Sequence, residues 1–229
     1  MKALIMAGGK GTRLRPLTYA IPKPLLPVGR KPILEIIIEQ LRDSGFTEII
    51  LTVEHRAELI KAYFRDEEMF GVKITYIDEK GPSGTAGSVK LIEGMVDEPF
   101  ITMNGDLLTK LNFKDMYTAH IDSSAELTVG VKDHTIKLPY GLIYVQNGEV
   151  KGIKEKPDLA FRINAGIYVL SPSALDVIPR GEFFDMPDAI QCLIHQGRKV
   201  AYYDIKEYWR DIGQMEDYQQ VVNGIEGWE

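Results

Sequence analysis

Gly8, Gly9 and Gly11 stand almost side by side near the start of the chain, and Thr12 and Arg13 follow at once. Glycines let a backbone approach an anion closely, and successive N–H groups can then turn into one concavity. Lys10, Arg13, Arg15 and Lys23 add four cations in a short stretch, and Lys23 lies between Pro22 and Pro24, which restrict the backbone around it. This set suits the binding of a phosphorylated anion. It is not a Walker A loop, because no Gly-Lys-Ser/Thr ends it, and Leu14 stands where a dinucleotide fingerprint has its third glycine. The glycines alone would equally make a tight strand-to-helix turn, and the cations alone a solvated basic face. Both together at the C-terminal edge of a strand, where open α/β sheets bind ligands, favour the anion. Asp106, at the end of a short apolar run, and Asp211, beside Trp209, are carboxylates that by themselves read equally as caps or surface charges.

The elements that must position these groups follow an alternating order. Residues Lys2–Ala7 read as a strand buried on both faces, and a loop rich in Gly, Pro and basic residues runs from Gly8 to Arg30. Pro32 opens a helix carrying Ile33, Leu34, Ile37, Ile38 and Leu41 at helical spacing, with Gly45 placed for a left-handed end. Strands are expected at Glu48–Val53, Lys73–Ile77 and Pro99–Met103, and helices at Arg56–Phe64 and Thr85–Met95. Further on, Leu127–Val131, Gly141–Val145, Val150–Lys154 and Ile163–Leu170 read as strands with only short helical pieces between them, and Asn147-Gly148 signals a hairpin. Helical patterns return at Pro187–His195 and Glu216–Val222. The expected class is α/β: a Rossmann-like, mainly parallel central sheet flanked by helices, with an added antiparallel segment. Residues 1–229 read as one domain, a nucleotide-type half to about 110 and a second half from about 111.

Composition narrows the partners. With 27 Lys+Arg against 33 Asp+Glu the net charge is −6, which argues against non-specific binding to nucleic acid or to anionic membranes. No apolar run approaches the roughly 18–20 residues needed to span a bilayer. The apolar stretch at the N-terminus is too short for a signal peptide, and one cysteine, Cys192, leaves no internal disulfide or multi-cysteine metal site. A cytoplasmic protein is expected.

Taken in register, Ala7-Gly8-Gly9-x-Gly11-Thr12-Arg13-Leu14 followed by Pro22-Lys23-Pro24-Leu25 and Pro27 resembles the signature of the sugar-1-phosphate nucleotidylyltransferases. Similar segments recur at Gly84-Thr85-Ala86-Gly87, Gly105-Asp106, Glu155-Lys156-Pro157, Asn164-Ala165-Gly166-Ile167-Tyr168 and Trp209-x-Asp211-Ile212-Gly213, so the resemblance spans essentially the whole chain. Within the family the likeness is to the mannose-1-phosphate guanylyltransferase-like branch.

The resemblance implies attack of a sugar-1-phosphate oxygen on the α-phosphorus of a nucleoside triphosphate, with pyrophosphate leaving and no covalent enzyme intermediate. Catalysis is then alignment of two anions and neutralisation of developing charge. It implies that Arg13 and Lys23 serve the phosphates, and that Asp106 and Asp211 converge on Mg²⁺. Met6, Ala7, Gly8, Gly9, Gly11, Thr12, Arg13, Glu79, Gly84, Thr85 and Asp106 would bind the nucleotide. Gly141, Glu155, Lys156, Asn164 and Gly166 would bind the sugar phosphate, Lys156 at its phosphate and Glu155 at sugar hydroxyls. Glu79 would read the base: a carboxylate can accept from guanine N1–H and its 2-amino group, which favours GTP, and it can equally accept the single N3–H of uracil or thymine. UTP, dTTP or CTP therefore stay open, as do mannose-1-phosphate and related hexose- or heptose-1-phosphates. Some relatives carry Leu where this chain has Ser83.

Other residues read as structural. His55, His120, His134 and His195 need no catalytic role, Cys192 reads as a buried structural thiol, and Tyr202-Tyr203 and Tyr208-Trp209 as core strand residues. Asp66-Glu67-Glu68 reads as a solvated helix end. A glycosyltransferase would be expected to carry Asp-x-Asp where Asn104-Gly105-Asp106 stands, and a non-catalytic nucleotide-sugar sensor would be expected to have lost Arg13, Lys23 or one of the aspartates. The chain reads as a minimal catalytic unit, so a homodimer would have to use faces of that unit.

Overall fold

Ala3, Leu4 and Ile5 have no exposed surface in the computed structural model, which describes residues 1–65, 70–81 and 83–224. The acidic run Asp66-Glu67-Glu68 and Pro82 lie outside the described residues. Strand β1 (Lys2–Met6) is covered on both faces because it runs down the middle of a sheet, in parallel between β4 (Glu48–Val53) and β6 (Phe100–Asn104). Beyond β4 lies β5 (Lys73–Asp78), again parallel. On the other side β11 (Asp158–Leu170) runs antiparallel against both β6 and β8 (Leu127–Lys137), and β12 (Val200–Asp204) closes the edge parallel to β8. The order among the described residues is β12-β8-β11-β6-β1-β4-β5. The mainly parallel sheet with an antiparallel insertion is the expected architecture.

Alternation along the strands sorts the apolar side chains into two layers. Ala3, Ile5, Leu51 and Met103 join the layer under α1 (Ile33–Asp43), while Leu4, Ile50, Phe100 and Leu170 pack on α3 (Gly84–Lys90) and α5 (Met186–His195). Helix α1 ends as its sequence indicates, with Gly45 at φ 90° and Phe46 N–H donating back to the Leu41 carbonyl at 2.9 Å. Helix α2 (Ala57–Tyr63) falls within its expected span. Helix α3 stops at Lys90, short of the expected Met95, and turns carry the chain on to Gly94 at φ 83°.

One helix departs from expectation by being present. Helix α4 (Phe113–Ser123) buries Phe113, Met116 and His120, a stripe broken by Lys, Asp and His and therefore weak as a periodic signal. Its clearest marker is Asn112, whose side chain accepts from the amides of Lys114 and Asp115 at 3.1 and 3.3 Å. Strands β8 and β11 are also longer than expected. Residues 132–137 and 158–163 pair only with each other, as a ribbon leading to the hairpin of β9 (Leu142–Gln146) and β10 (Glu149–Lys154), which turns at Asn147-Gly148. Small strands complete the frame: β2 (Pro27–Val28) with β3 (Lys31–Pro32), and β7 (Leu107–Thr109) with β13 (Trp209–Asp211). Helix α6 (Met215–Asn223) follows.

Three side-chain expectations need correction. Tyr202 is 59% exposed on the edge strand β12, where Arg162 lies over its ring, and Tyr208 is exposed; only Tyr203 and Trp209 pack against the core. Cys192 is half-buried on the outer part of α5 rather than fully enclosed. No helix among the described residues is long and apolar enough to cross a membrane.

Candidate active site

The chain leaves β1 toward β4 and β5 on one side, then returns to place β6 on the other. At the C-terminal ends of such strands the loops diverge in opposite directions and leave a crevice. A cavity of about 320 Å³ opens there, lined by the strand ends Met6, Ala7 and Gly8, Glu54, Glu79, and Asn104-Gly105-Asp106. Gly9, Lys23, Gly84 and Thr85 also face it.

Close packing of glycines builds the floor. A Cβ on Gly105 would lie 2.9 Å from the Met6 carbonyl oxygen, and one on Gly8 3.1 Å from Glu79 Oε1. Gly11 has φ 59°, and a Cβ there would meet Thr18 at 2.9 Å and Lys23 Cβ at 3.1 Å. The loop thus folds down onto Lys23, and Thr18 Oγ1 donates to the Gly11 carbonyl at 2.8 Å. Lys23 extends to an ion pair with Asp106 Oδ2, its side chain only 11% exposed. Thr12 and Arg13 are exposed beyond the cavity wall, on a single 3-10 turn from Thr12 to Leu14.

Strand β13 brings the second carboxylate to the first. Asp211 pairs with Leu107 across the short ladder, and Ile212 N–H donates to the Asp106 carbonyl at 3.1 Å. Desolvation by the protein around it, and then the negative charge of Asp106, raise the Asp211 pKa, while Lys23 and Arg13 pull it down. Asp106 Oδ1 is buried with no hydrogen-bond partner among the described residues. Two carboxylates on neighbouring strand ends, one with an unused buried oxygen, fit a hard divalent cation. Among the described residues no cluster of three or more His, Cys, Asp or Glu forms.

The residues expected on the sugar side fall into two groups. Asn164 and Gly166 form a bulge where β11 shifts register. Asn164 Oδ1 accepts from Gly166 N–H at 3.0 Å, and Asn164 Nδ2 donates to the Tyr168 hydroxyl at 2.7 Å. Gly166, at φ 69°, sits against Asn104, and Trp209 Nε1–H donates to the Ala165 carbonyl at 2.9 Å. The bulge is thereby pinned between the cavity wall and the Asp211 strand. Tyr168 is buried there and its pKa is pushed up to about 12, mainly by desolvation. Gly141, Glu155 and Lys156 lie instead at the base of the exposed hairpin. A Cβ on Gly141 would be 2.9 Å from Glu155 Oε2, and Lys156 is exposed at φ 43° just before β11.

Several residues of the cavity carry no motif of their own. Glu54, Asn104, Phe183 and Asp185 all line it. Asp185 accepts from Thr85 N–H at 2.9 Å and from Thr85 Oγ1–H at 3.2 Å, while the Phe184 carbonyl accepts the amides of Ala86 and Gly87. The first amides of α3 are therefore satisfied by the second half of the chain. The signal available in sequence was Asp185 before Pro187, a helix start, which gives no hint of this long-range contact. Of the histidines, His120 is buried between Thr128 and Ser171, with its pKa lowered by desolvation; His134 and His195 are exposed.

Known proteins share the fold that carries this crevice. Residues 2–227 match the family model described as nucleotidyl transferase. A UTP–glucose-1-phosphate uridylyltransferase from Synechocystis sp. is 36% identical over 98% of this chain, and a mannose-1-phosphate guanyltransferase from Yarrowia lipolytica is 37% identical over 95%. The chain spans 63% and 62% of the length of these two relatives. A crystal structure of HddC from Yersinia pseudotuberculosis complexed with GMP-PN superposes with a TM-score of 0.76 at 27% identity, covering 98% of this chain and 99% of that one. Guanylyl- and uridylyltransferases thus match about equally, and the guanylyl branch expected from the motifs is not favoured over the others. The chain belongs to the nucleotidyl transferase family, within the sugar-1-phosphate nucleotidyltransferase superfamily.

Proposed function

We propose that this chain transfers a nucleotidyl group from a nucleoside triphosphate to a sugar-1-phosphate, giving a nucleoside-diphosphate sugar and pyrophosphate, with GTP as the donor. The observation that carries the reading is the crevice itself. It gathers the Glu79 carboxylate, which lies against Gly8, into one space with Gly9 and the Lys23–Asp106 pair, so that a base beside Glu79 can have its phosphates toward Lys23. Relatives named for guanylyl transfer and the HddC complex with GMP-PN support the nucleotide; the Synechocystis relative, named for uridylyl transfer, supports UTP.

In this reading the backbone of Gly8 and Gly9 lies against the triphosphate, and Lys23 neutralises its α-phosphate. Arg13 approaches from the loop rim, where its planar donor fork holds the leaving pyrophosphate. Asp106 and Asp211 hold Mg²⁺, which when bound supplies charge neutralisation between the two phosphate groups. Glu155 and Lys156 reach the sugar and its phosphate from the hairpin base, with Asn164 and Gly166 forming the wall between. The acceptor is mannose-1-phosphate or a related hexose- or heptose-1-phosphate. All these groups stand in one catalytic unit made from both halves of the chain.

Pyrophosphate release in Mg²⁺, measured across a grid of nucleoside triphosphates and sugar-1-phosphates, tests this directly. Turnover with GTP and one sugar phosphate, abolished in Lys23→Ala and Asp106→Asn, is the expected result. Turnover confined to UTP or dTTP would keep the chemistry and discard the guanine assignment. Tight nucleotide-sugar binding with no turnover for any pair would overturn the reaction.

A further inference from the structure

The Glu79 carboxylate is held by two hydroxyls that line the crevice beside it. Ser83 Oγ–H donates to Glu79 Oε2 at 2.6 Å, and Ser88 Oγ–H lies 3.0 Å from both Glu79 Oε1 and the Gly84 carbonyl of its own helix, shared between them. The two serine oxygens are 3.2 Å apart, and Ser88 is buried on α3. Gly87 makes the arrangement possible, because a Cβ there would sit 2.9 Å from Ser83 Cβ. On its other side Glu79 packs against Gly8 and faces the crevice.

We infer that Ser83 and Ser88 are specificity-determining residues that act through Glu79, presenting both of its oxygens side by side to the base. The inference rests on the guanine reading of the same site. Each hydroxyl has one proton to give, and a carboxylate has about four lone-pair sites, so one acceptor direction per oxygen stays available. Two parallel acceptors match the two parallel donors of guanine, N1–H and the 2-amino group. Uracil and thymine present one donor between two carbonyl oxygens, and cytosine and adenine one amino group beside an acceptor nitrogen. Each of these sets an acceptor against a fixed carboxylate oxygen, an unpaired contact of the kind that makes polar sites selective. A carboxylate free to rotate would accept the single N3–H of uracil with one oxygen and turn the other away. The serines therefore convert a permissive acceptor into a selective one.

Titration calorimetry of the full chain with Mg²⁺ and GTP, ITP or UTP separates the possibilities. ITP is guanosine triphosphate without its 2-amino group and so counts the second hydrogen bond. The unaltered protein is expected to bind GTP roughly 10–100-fold more tightly than ITP, the worth of one hydrogen bond to a charged acceptor. Ser88→Ala and Ser83→Ala should shrink that ratio several-fold with ITP affinity little changed, and Ser83→Thr, which keeps the hydroxyl, should restore it. Circular dichroism checks that each variant is folded, and Ser83→Ala, compared with Ser83→Thr, carries the test if Ser88→Ala is not. A GTP/ITP ratio that survives both alanine variants would overturn the inference while leaving Glu79 as the base reader. An unaltered protein that prefers UTP, or does not distinguish GTP from ITP, would overturn the guanine reading and this inference with it.

Discussion

Lys23 and Lys156 are both lysines next to proline, both assigned here to a phosphate, and the molecule treats them in opposite ways. Lys23 is packed under the glycine loop, almost enclosed, and paired with Asp106. Lys156 is exposed on the turn between β10 and β11, on an arm whose Val145, Val150 and Ile153 are each more than 60% exposed. Enclosure lowers the local dielectric and fixes geometry, so a cation such as Lys23 acts strongly on charge that develops during reaction. An exposed cation is screened by water and salt, and is suited to docking a substrate rather than to stabilising a transition state.

The largest effect should therefore come from the enclosed pair. Lys23→Ala or Asp106→Asn is expected to lower kcat/KM by about 10³-fold, as losing a preorganised electrostatic group does. Steady-state kinetics that gave only a tenfold loss would erase the contrast with Lys156. Next, the two regions should differ in what holds them. Ile101→Ala, in the fully buried centre of β6, should cost about 2–5 kcal/mol in urea unfolding, whereas Val145→Ala on the hairpin should stay within about 0.5 kcal/mol. A large cost at Val145 would mean that the arm is covered in solution. Lys156→Ala should raise KM for the sugar phosphate about 10-fold and leave KM for the nucleotide alone, since a docking contact acts on the ground state.

The smallest effect is one of pH. Burial lowers the His120 pKa, so between its folded value and about 6.5 the unfolded chain binds more protons than the native one. Stability from this site is complete above pH 6.5 and is lost as the pH falls toward the folded value. The Tm of the unaltered protein should drop more between pH 7 and pH 5 than that of His120→Asn, and equal drops would assign the acid sensitivity elsewhere.

What could be read in the sequence follows the same division. The parallel half was legible because Leu4, Ile50 and Phe100 lie in short apolar runs bounded by turn residues, each a local signal. The glycine loop and Asp106 were legible because they sit where those runs end, and Lys23 because prolines flank it within that loop. Helix α4 was not, since His120 and Met116 make a broken stripe that only tertiary burial explains. Nor were Asp185 or Ser88: their bonds to Thr85 and Glu79 depend on where helices dock, and residue spacing holds no record of that. The length of the β8–β11 ribbon was hidden for another reason. Its residues, apolar ones such as Ile136 and Phe161 included, are mostly exposed, so burial gave period-two patterning little to mark.

That ribbon leaves the sheet on the same strand whose other end, Ile167–Leu170, is bonded to β6, the strand that ends two residues before Asp106. In the proposed reading, sugar side and nucleotide side are thus the two ends of one graduated rule, with the bulge at Asn164 as its zero mark. A strand advances about 3.4 Å per residue and alternates its faces. Adding two residues to β11 before Asn164, and two opposite them in β8, would move Lys156 outward by about 7 Å with every side chain still facing as before. Adding one to each would move it only about 3.4 Å yet turn the whole arm to its other face, so the reach of this arm can be set in steps of two residues without turning it.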